Sequence, residues 1–173
     1  MEFLIFIPPN DFKDESVSTF KMFFERWGIK PTITSYSTKE CLGAHGARYM
    51  PDINTNKVDP SKYDGIVLVD GPGVDTYKLQ DFRPFFDILA KFNSMHKYII
   101  AIGNAQKIAA KSNIIRGKKV ATPEDKETQR VVQLFHGIVS NKDAEIDGNI
   151  ISFKSTNAIE ENIHSVLEHM GVK

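Results

Sequence analysis

Four carboxylates fall on or beside turns of this chain. Asp11, Asp14 and Glu15 follow the first apolar run, and Asp70 ends a later one. Converging at a pocket mouth, they could supply a general base. A plainer use of the same residues is N-capping of the first helix by Asp14, with Asp70 as a turn residue. Two breaks expose chemistry-bearing main chain: Asp70-Gly71-Pro72-Gly73 and Gly103-Asn104. Cys41 is the one cysteine, in the polar stretch Ser37–Leu42. One thiol forms no intramolecular disulfide and no thiolate zinc cluster, and it reads as an ordinary thiol rather than a redox sensor. His45, between Gly43 and Gly46, is expected to hydrogen-bond locally. His96, His136, His164 and His169 lack the mutual spacing of a metal site, so neither metal nor other cofactor is expected.

The elements that position these turns can be read in order. Phe3–Ile7 is a continuous apolar run, expected of a strand covered on both faces. Pro8-Pro9 ends it, because proline donates no ladder hydrogen bond. Val17, Phe20, Phe23, Phe24 and Trp27 recur at helical spacing, with Gly28 at C′. A short strand centres on Thr32-Ile33-Thr34, and Gly65–Val69 is a second buried strand. Phe82, Phe85, Phe86, Leu89 and Phe92 mark a helix with Pro84 near its start. Tyr98–Ile102 is a third buried strand, and helix resumes over Ala105–Lys111. Arg116, Lys118 and Lys119 read as a solvated loop. Asp147-Gly148 predicts a hairpin turn between Ala144–Ile146 and Asn149–Phe153. Ile159, Ile163, Val166, Leu167 and Met170 predict a last helix, closed by Gly171. This alternation predicts an α/β fold, a mainly parallel sheet with helices on both faces. Ligands bind such sheets beyond the carboxyl ends of the strands, where strand order reverses. That points to three turns: 8–15, 70–74 and 103–106.

The chain has 173 residues, with 22 Lys+Arg against 22 Asp+Glu, so formal net charge is zero. The length suits a single domain spanning residues 1–173, able to bury roughly 70% of its unfolded surface. Zero net charge argues against a nucleic-acid footprint, which is normally basic. No apolar run approaches the ~20 residues of a membrane span. Glu2 stands where a signal peptide wants a base, and the run after it is too short. A soluble, cytoplasmic protein with no membrane partner is expected.

Several segments, in order, resemble the ThiJ/PfpI superfamily, the group of DJ-one and intracellular protease I. Gly43-Ala44-His45-Gly46 with Pro51-Asp52 resembles the family's Gly-x-His-Gly segment. Val58-Asp59-Pro60, Tyr63-Asp64 and Ile66-Val67-Leu68 resemble the approach to its Pro-Gly-Gly turn. Lys97–Ile102 and Ala109–Lys119 resemble its elbow strand and the continuation, and Asp147-Gly148-Asn149 through Ser152 its late hairpin. The resemblance covers nearly the whole chain and implies a flavodoxin-like three-layer sandwich, with dimers or hexamers common. The class I glutamine amidotransferases share the elbow, and Asn104 and Gln106 fit their pattern about as well. Their glutaminase chemistry needs an elbow Cys and a late His-x-Glu, which Gly103 and Ser155-Thr156-Asn157 do not supply.

The resemblance also implies where chemistry should sit, and there the chain departs from its family. The elbow reads Ala-Ile-Cys-His-Gly in the family and Ala101-Ile102-Gly103-Asn104-Ala105 here, so Gly103 takes the nucleophile's place and Asn104 the histidine's. Covalent thiol chemistry cannot start from Gly103. The Pro-Gly-Gly turn becomes Val69-Asp70-Gly71, and an inward Asp70 would repel a developing oxyanion. The family's loop acid aligns with Ser16, with Glu15 one residue early. Lys154 replaces an arginine, without its bidentate fork. The resulting expectation is a pseudoenzyme whose old pocket, built from Glu15, Asp70, Gly71, Gly103, Asn104, Ala105 and Lys154, binds a small molecule, or whose role is oligomeric or stress-related. The alternative is a hydrolase, glyoxalase or amidase of altered chemistry using Asp70 or Glu15. Because an elbow strains its backbone, Gly103 is expected at positive φ.

Overall fold

The computed structural model describes residues 1–172. Apolar runs and helical stripes resolve into strands and helices in this order. The first third holds β1 (Glu2–Phe6), β2 (Asn10–Phe12), α1 (Asp14–Arg26), β3 (Lys30–Ser35), β4 (Cys41–Gly43), β5 (Arg48–Tyr49) and β6 (Ile53–Asn54). Next come β7 (Gly65–Leu68), α2 (Gly73–Thr76), α3 (Arg83–Ser94), β8 (Tyr98–Ile102) and α4 (Gln106–Lys111). The chain continues through β9 (Lys119–Ala121), α5 (Lys126–Leu134) and β10 (Ile138–Ser140). It closes with β11 (Ala144–Asp147), β12 (Ile150–Phe153) and α6 (Asn157–His169).

The main sheet runs β11-β12-β8-β7-β1-β3-β6 and is parallel except for the β11–β12 hairpin. It is the mostly parallel, doubly covered sheet of a flavodoxin-like α/β fold. Phe3, Ile5 and Ile7 point to one face, where Val17, Phe20 and Phe24 of α1 and Ile159, Ile163 and Val166 of α6 cover them. Leu4 and Phe6 point to the other, against Phe85, Leu89 and Phe92 of α3 and Ile108 of α4. The period-2 alternation of a strand thus splits one apolar run between two cores. No helix among the described residues is long and apolar enough to cross a membrane.

Strand order reverses between β1 and β7, since β3 lies on one side of β1 and β7 on the other. Registers align the strand ends there: Phe6 pairs with Leu68, Leu68 with Ala101, and Ile102 with Phe153. Asp70, Gly103 and Lys154 therefore leave one edge of the sheet together.

Local readings shift in three places. The N-cap of α1 is Lys13, and Asp14 is the first helical residue. The hairpin turn is Gly148-Asn149, because Asp147 still pairs with Ile150 across the ladder. Lys119 belongs to β9 rather than to a loop, paired in parallel with β10.

Candidate ligand site

Beyond those strand ends lies an open cavity of about 370 Å³, lined by Lys13, Asp70, Gly71, Pro72, Gly103, Asn104, Pro123, Asp125, Lys154 and Ser155. The volume is within the range of small-molecule sites. Each wall follows from a local cause. Lys13 stands where β2 turns into α1, and its main-chain N–H donates to the Asp70 carbonyl at 2.8 Å. Gly71 has φ +133, and a Cβ there would lie 2.5 Å from the Asp11 carbonyl oxygen, so only glycine lets the two turns pack this closely. Asp125 caps α5, accepting the Glu127 N–H at 3.1 Å and the Thr128 hydroxyl at 2.6 Å. The Thr128 hydroxyl is the main reason its carboxyl is held below the ordinary value.

Gly103 adopts φ +51, as a strained elbow requires. An ideal Cβ on it would meet Asp70 Oδ2 at 2.8 Å and Asp70 Cβ at 3.2 Å. The Asp70 carboxylate thus occupies the space an elbow side chain would need. Asp70 is only 7% exposed. Its Oδ1 accepts the Ser16 hydroxyl at 2.7 Å, and Ser16 Oγ lies 2.7 Å from Thr156 Oγ1. Oδ2 accepts no side-chain hydrogen bond among the described residues. Burial raises the Asp70 carboxyl above its ordinary value, opposed by the Ser16 hydroxyl, the charge of Lys13 and its own main-chain N–H.

Asn104 bridges the next peptide. Its Oδ1 accepts the Gly71 N–H at 3.1 Å and its Nδ2 donates to the Gly71 carbonyl at 2.9 Å. The Gly71 amide is thereby spent inside the protein and is not free to stabilise an oxyanion. Lys154 lines the far wall, with its ammonium 3.3 Å from the exposed Glu124 carboxylate.

Two of the expected site residues lie elsewhere. Ala105 is fully buried in the second core, with no side chain to offer the cavity. Glu15 stays outside because it points to the β4–β5 loop, where its Oε1 lies 2.7 Å from His45 Nδ1. Asp14 joins it, accepting the main-chain N–H groups of His45 at 3.0 Å and Ala47 at 2.7 Å. His45 therefore does not bond within its own turn, as its flanking glycines suggest it would, but to two carboxylates of α1. Ligand atoms of Asp14, Glu15 and His45 lie within 4.8 Å of one another, but both Asp14 oxygens are already engaged by amides. Asp11 is exposed, so the four carboxylates do not converge. Cys41 is fully buried in the first core, and burial pushes its thiol up, away from reactivity.

Two pH and stability predictions arise here. Burial acts to raise Asp14, but the His45 and Ala47 amides more than offset it, leaving the carboxyl below its ordinary value. A depressed carboxyl contributes stability that is present above the unfolded value and lost as pH falls through the folded one. Melting curves of Asp14→Asn should therefore show less acid loss than the parent below about pH 4. An unchanged acid limb would show that other groups carry it. Asp70 has the opposite sign. A raised folded value means stability declines as pH climbs from the ordinary carboxylate range through that value. Asp70→Asn keeps the acceptor for Ser16 and removes the buried charge, so it should raise Tm at pH 7 by roughly 2–4 °C, about 1 kcal/mol. A lower Tm would mean the carboxylate supports the fold.

The family model of the DJ-1/PfpI family matches residues 1–169. The chain belongs to the DJ-1/PfpI family. It is 28% identical over 152 residues to the uncharacterized protein MJ0967 of Methanocaldococcus jannaschii, covering 88% of this chain and 74% of that one. It is 26% identical over 153 residues to the deglycase PH1704 of Pyrococcus horikoshii, covering 86% and 87%. Among solved structures, a ThiJ/PfpI domain protein from Brachyspira murdochii superposes with TM-score 0.89 at 22% identity, over 99% of this chain and 95% of that one. Drosophila melanogaster DJ-1beta superposes with TM-score 0.83 at 20% identity, over 99% and 91%. The fold is thus that of the DJ-1/PfpI family. Ser16, Asp70 and Gly103 form one arrangement: the Asp70 carboxylate sits beside Gly103 on the neighbouring turn and accepts the Ser16 hydroxyl.

Lys13 and Pro72 lie within the turns 8–15 and 70–74 that the sequence points to, whereas Thr156, the second hydroxyl behind Asp70, and the walls from Pro123, Asp125 and Ser155 lie outside them. One signal was available: Asp125 before Lys126-Glu127-Thr128 and then Val131-Val132 is an N-cap followed by helical spacing, and it announces α5.

Proposed function

We propose that this DJ-1/PfpI protein is a small-ligand-binding member that carries out no thiol chemistry at its elbow. The observation that carries this is the 2.8 Å separation between Asp70 Oδ2 and the position of a Gly103 Cβ. A carboxylate fills the nucleophile's space, and the neighbouring Gly71 amide is bonded to Asn104. What is left is a cavity of small-molecule size with a buried acceptor and two lysines in its wall. Self-association, implied by the resemblance, is part of the same proposal and is measured by analytical ultracentrifugation.

A second reading has its own support. Asp70 Oδ2 is unpartnered, and burial raises the carboxyl, which are properties of a general base. Glu15 has no part in it, being paired with His45. One assay separates the two readings. The protein and its Asp70→Asn variant are tested with methylglyoxal, a p-nitrophenyl ester and a peptide substrate. The expected result is no turnover by either. Turnover that Asp70→Asn abolishes would overturn the binding role and select the second reading.

A further inference from the structure

We propose that the cavity takes a small zwitterion carrying a primary ammonium and a carboxylate, that is, a free α-amino acid with a short aliphatic side chain. The inference rests on the binding role proposed above and names its ligand class. The ammonium pairs with Asp70 Oδ2. Ser16 spends its single hydrogen on Oδ1, so in the 2.7 Å contact behind it Thr156 must be the donor. Oδ2 is left as an acceptor on the cavity wall. A buried anion with an unused oxygen is strongly biased toward a charged donor. No Lys or Arg among the described residues forms an ion pair with Asp70, Lys13 acting on it only through space, and Gly103 leaves the approach open on its side.

The carboxylate of the ligand falls to the lysines of the wall. Lys13 makes no ion pair among the described residues, and Lys154 holds only Glu124, whose side chain is 88% exposed and gives a weak, screened pair. Asp125 also lines the cavity, but its oxygens are engaged in capping α5, so the buried Asp70 and the two lysines are complementary to a molecule bearing both signs. The rings of Pro72 and Pro123 offer apolar wall to a short aliphatic side chain.

The test uses L-valine with two analogues that each lack one charge, isovalerate without the ammonium and isobutylamine without the carboxylate. Affinities are measured by calorimetry on the full chain, and amide shifts of Gly103 and Asn104 report the place of binding. L-valine should bind at least about 10-fold more tightly than either analogue. Asp70→Asn should lose L-valine at least about 10-fold while remaining folded, and Lys13→Met with Lys154→Met should lose it while leaving isobutylamine unchanged. Isovalerate binding as tightly as L-valine, or L-valine binding unchanged by Asp70→Asn, would overturn the zwitterion inference and leave the binding role standing. If neither these compounds nor a panel of small aldehydes and nucleotides moves the cavity amides, the binding role falls and the inference with it.

Discussion

Gly103→Cys is expected to fold, to melt lower by roughly 5–15 °C, and to show a sluggish thiol. Two costs add. The backbone at φ +51 is left-handed, which a non-glycine residue occupies at about 1–3 kcal/mol. The new Cβ meets Asp70 at 2.8 and 3.2 Å, and crowding of this kind costs about 1–3 kcal/mol. Asp70 cannot swing aside freely, because Ser16 holds its other oxygen. A loss of about 2–6 kcal/mol converts to that change in Tm for a chain of this length. The thiol would lie beside a carboxylate, which disfavours the thiolate and so the reaction with iodoacetamide. A double-mutant cycle isolates the contact. In an Asp70→Gly background the cost of Gly103→Cys should fall by at least about 1 kcal/mol, since the clash is gone and only the backbone penalty remains. An equal cost in both backgrounds would mean that the carboxylate does not occupy the elbow space in solution. A raised Tm for Gly103→Cys alone would dismiss both terms.

This coupling also explains what could and could not be read from the sequence. Continuous apolar runs such as Phe3–Ile7 and Tyr98–Ile102 carry their own assignment, because a strand buried on both faces needs apolar residues at every position. The positive φ of Gly103 was legible for a similar reason, since only glycine reaches it cheaply. Asp70, Ser16 and Gly103 could each be seen as a departure, but that they form one contact could not, because it joins residues 54 positions apart and depends on the strand register. Glu15 shows the reverse failure. It stands one residue from Ser16, which faces Asp70, and one residue on a helix is about 100° of rotation. That carries its side chain to His45 instead of the cavity. Segments such as Arg48–Tyr49 are too short for any period to show, and their strand character comes from pairing with β4.

The walls of the cavity are tied together by a lysine that the sequence hides among helical residues, and breaking that tie should have a large effect on stability. Lys107 of α4 is fully buried. Its ammonium pairs with Asp75 of α2 and lies 3.6 Å from Glu127 of α5. Those helices begin just after Pro72 and Asp125, on two sides of the cavity. The partners are not equivalent, for Asp75 and Glu127 are 48% and 55% exposed while the lysine sees no solvent. Lys107→Met therefore leaves two carboxylates that water can still solvate, and an unbranched apolar side chain in the lysine's place. It should cost less than about 1.5 kcal/mol. Asp75→Ala leaves a buried cation with one longer contact, and removing one partner of such a pair costs about 3–5 kcal/mol. The lower end is expected, because Glu127 remains. Adding Lys107→Met to Asp75→Ala should then recover most of the loss, a rescue that simple deletion of a contact cannot produce. Urea denaturation of the four variants reads this directly. If Lys107→Met proves as costly as Asp75→Ala, the lysine acts through packing of its stem rather than through its charge.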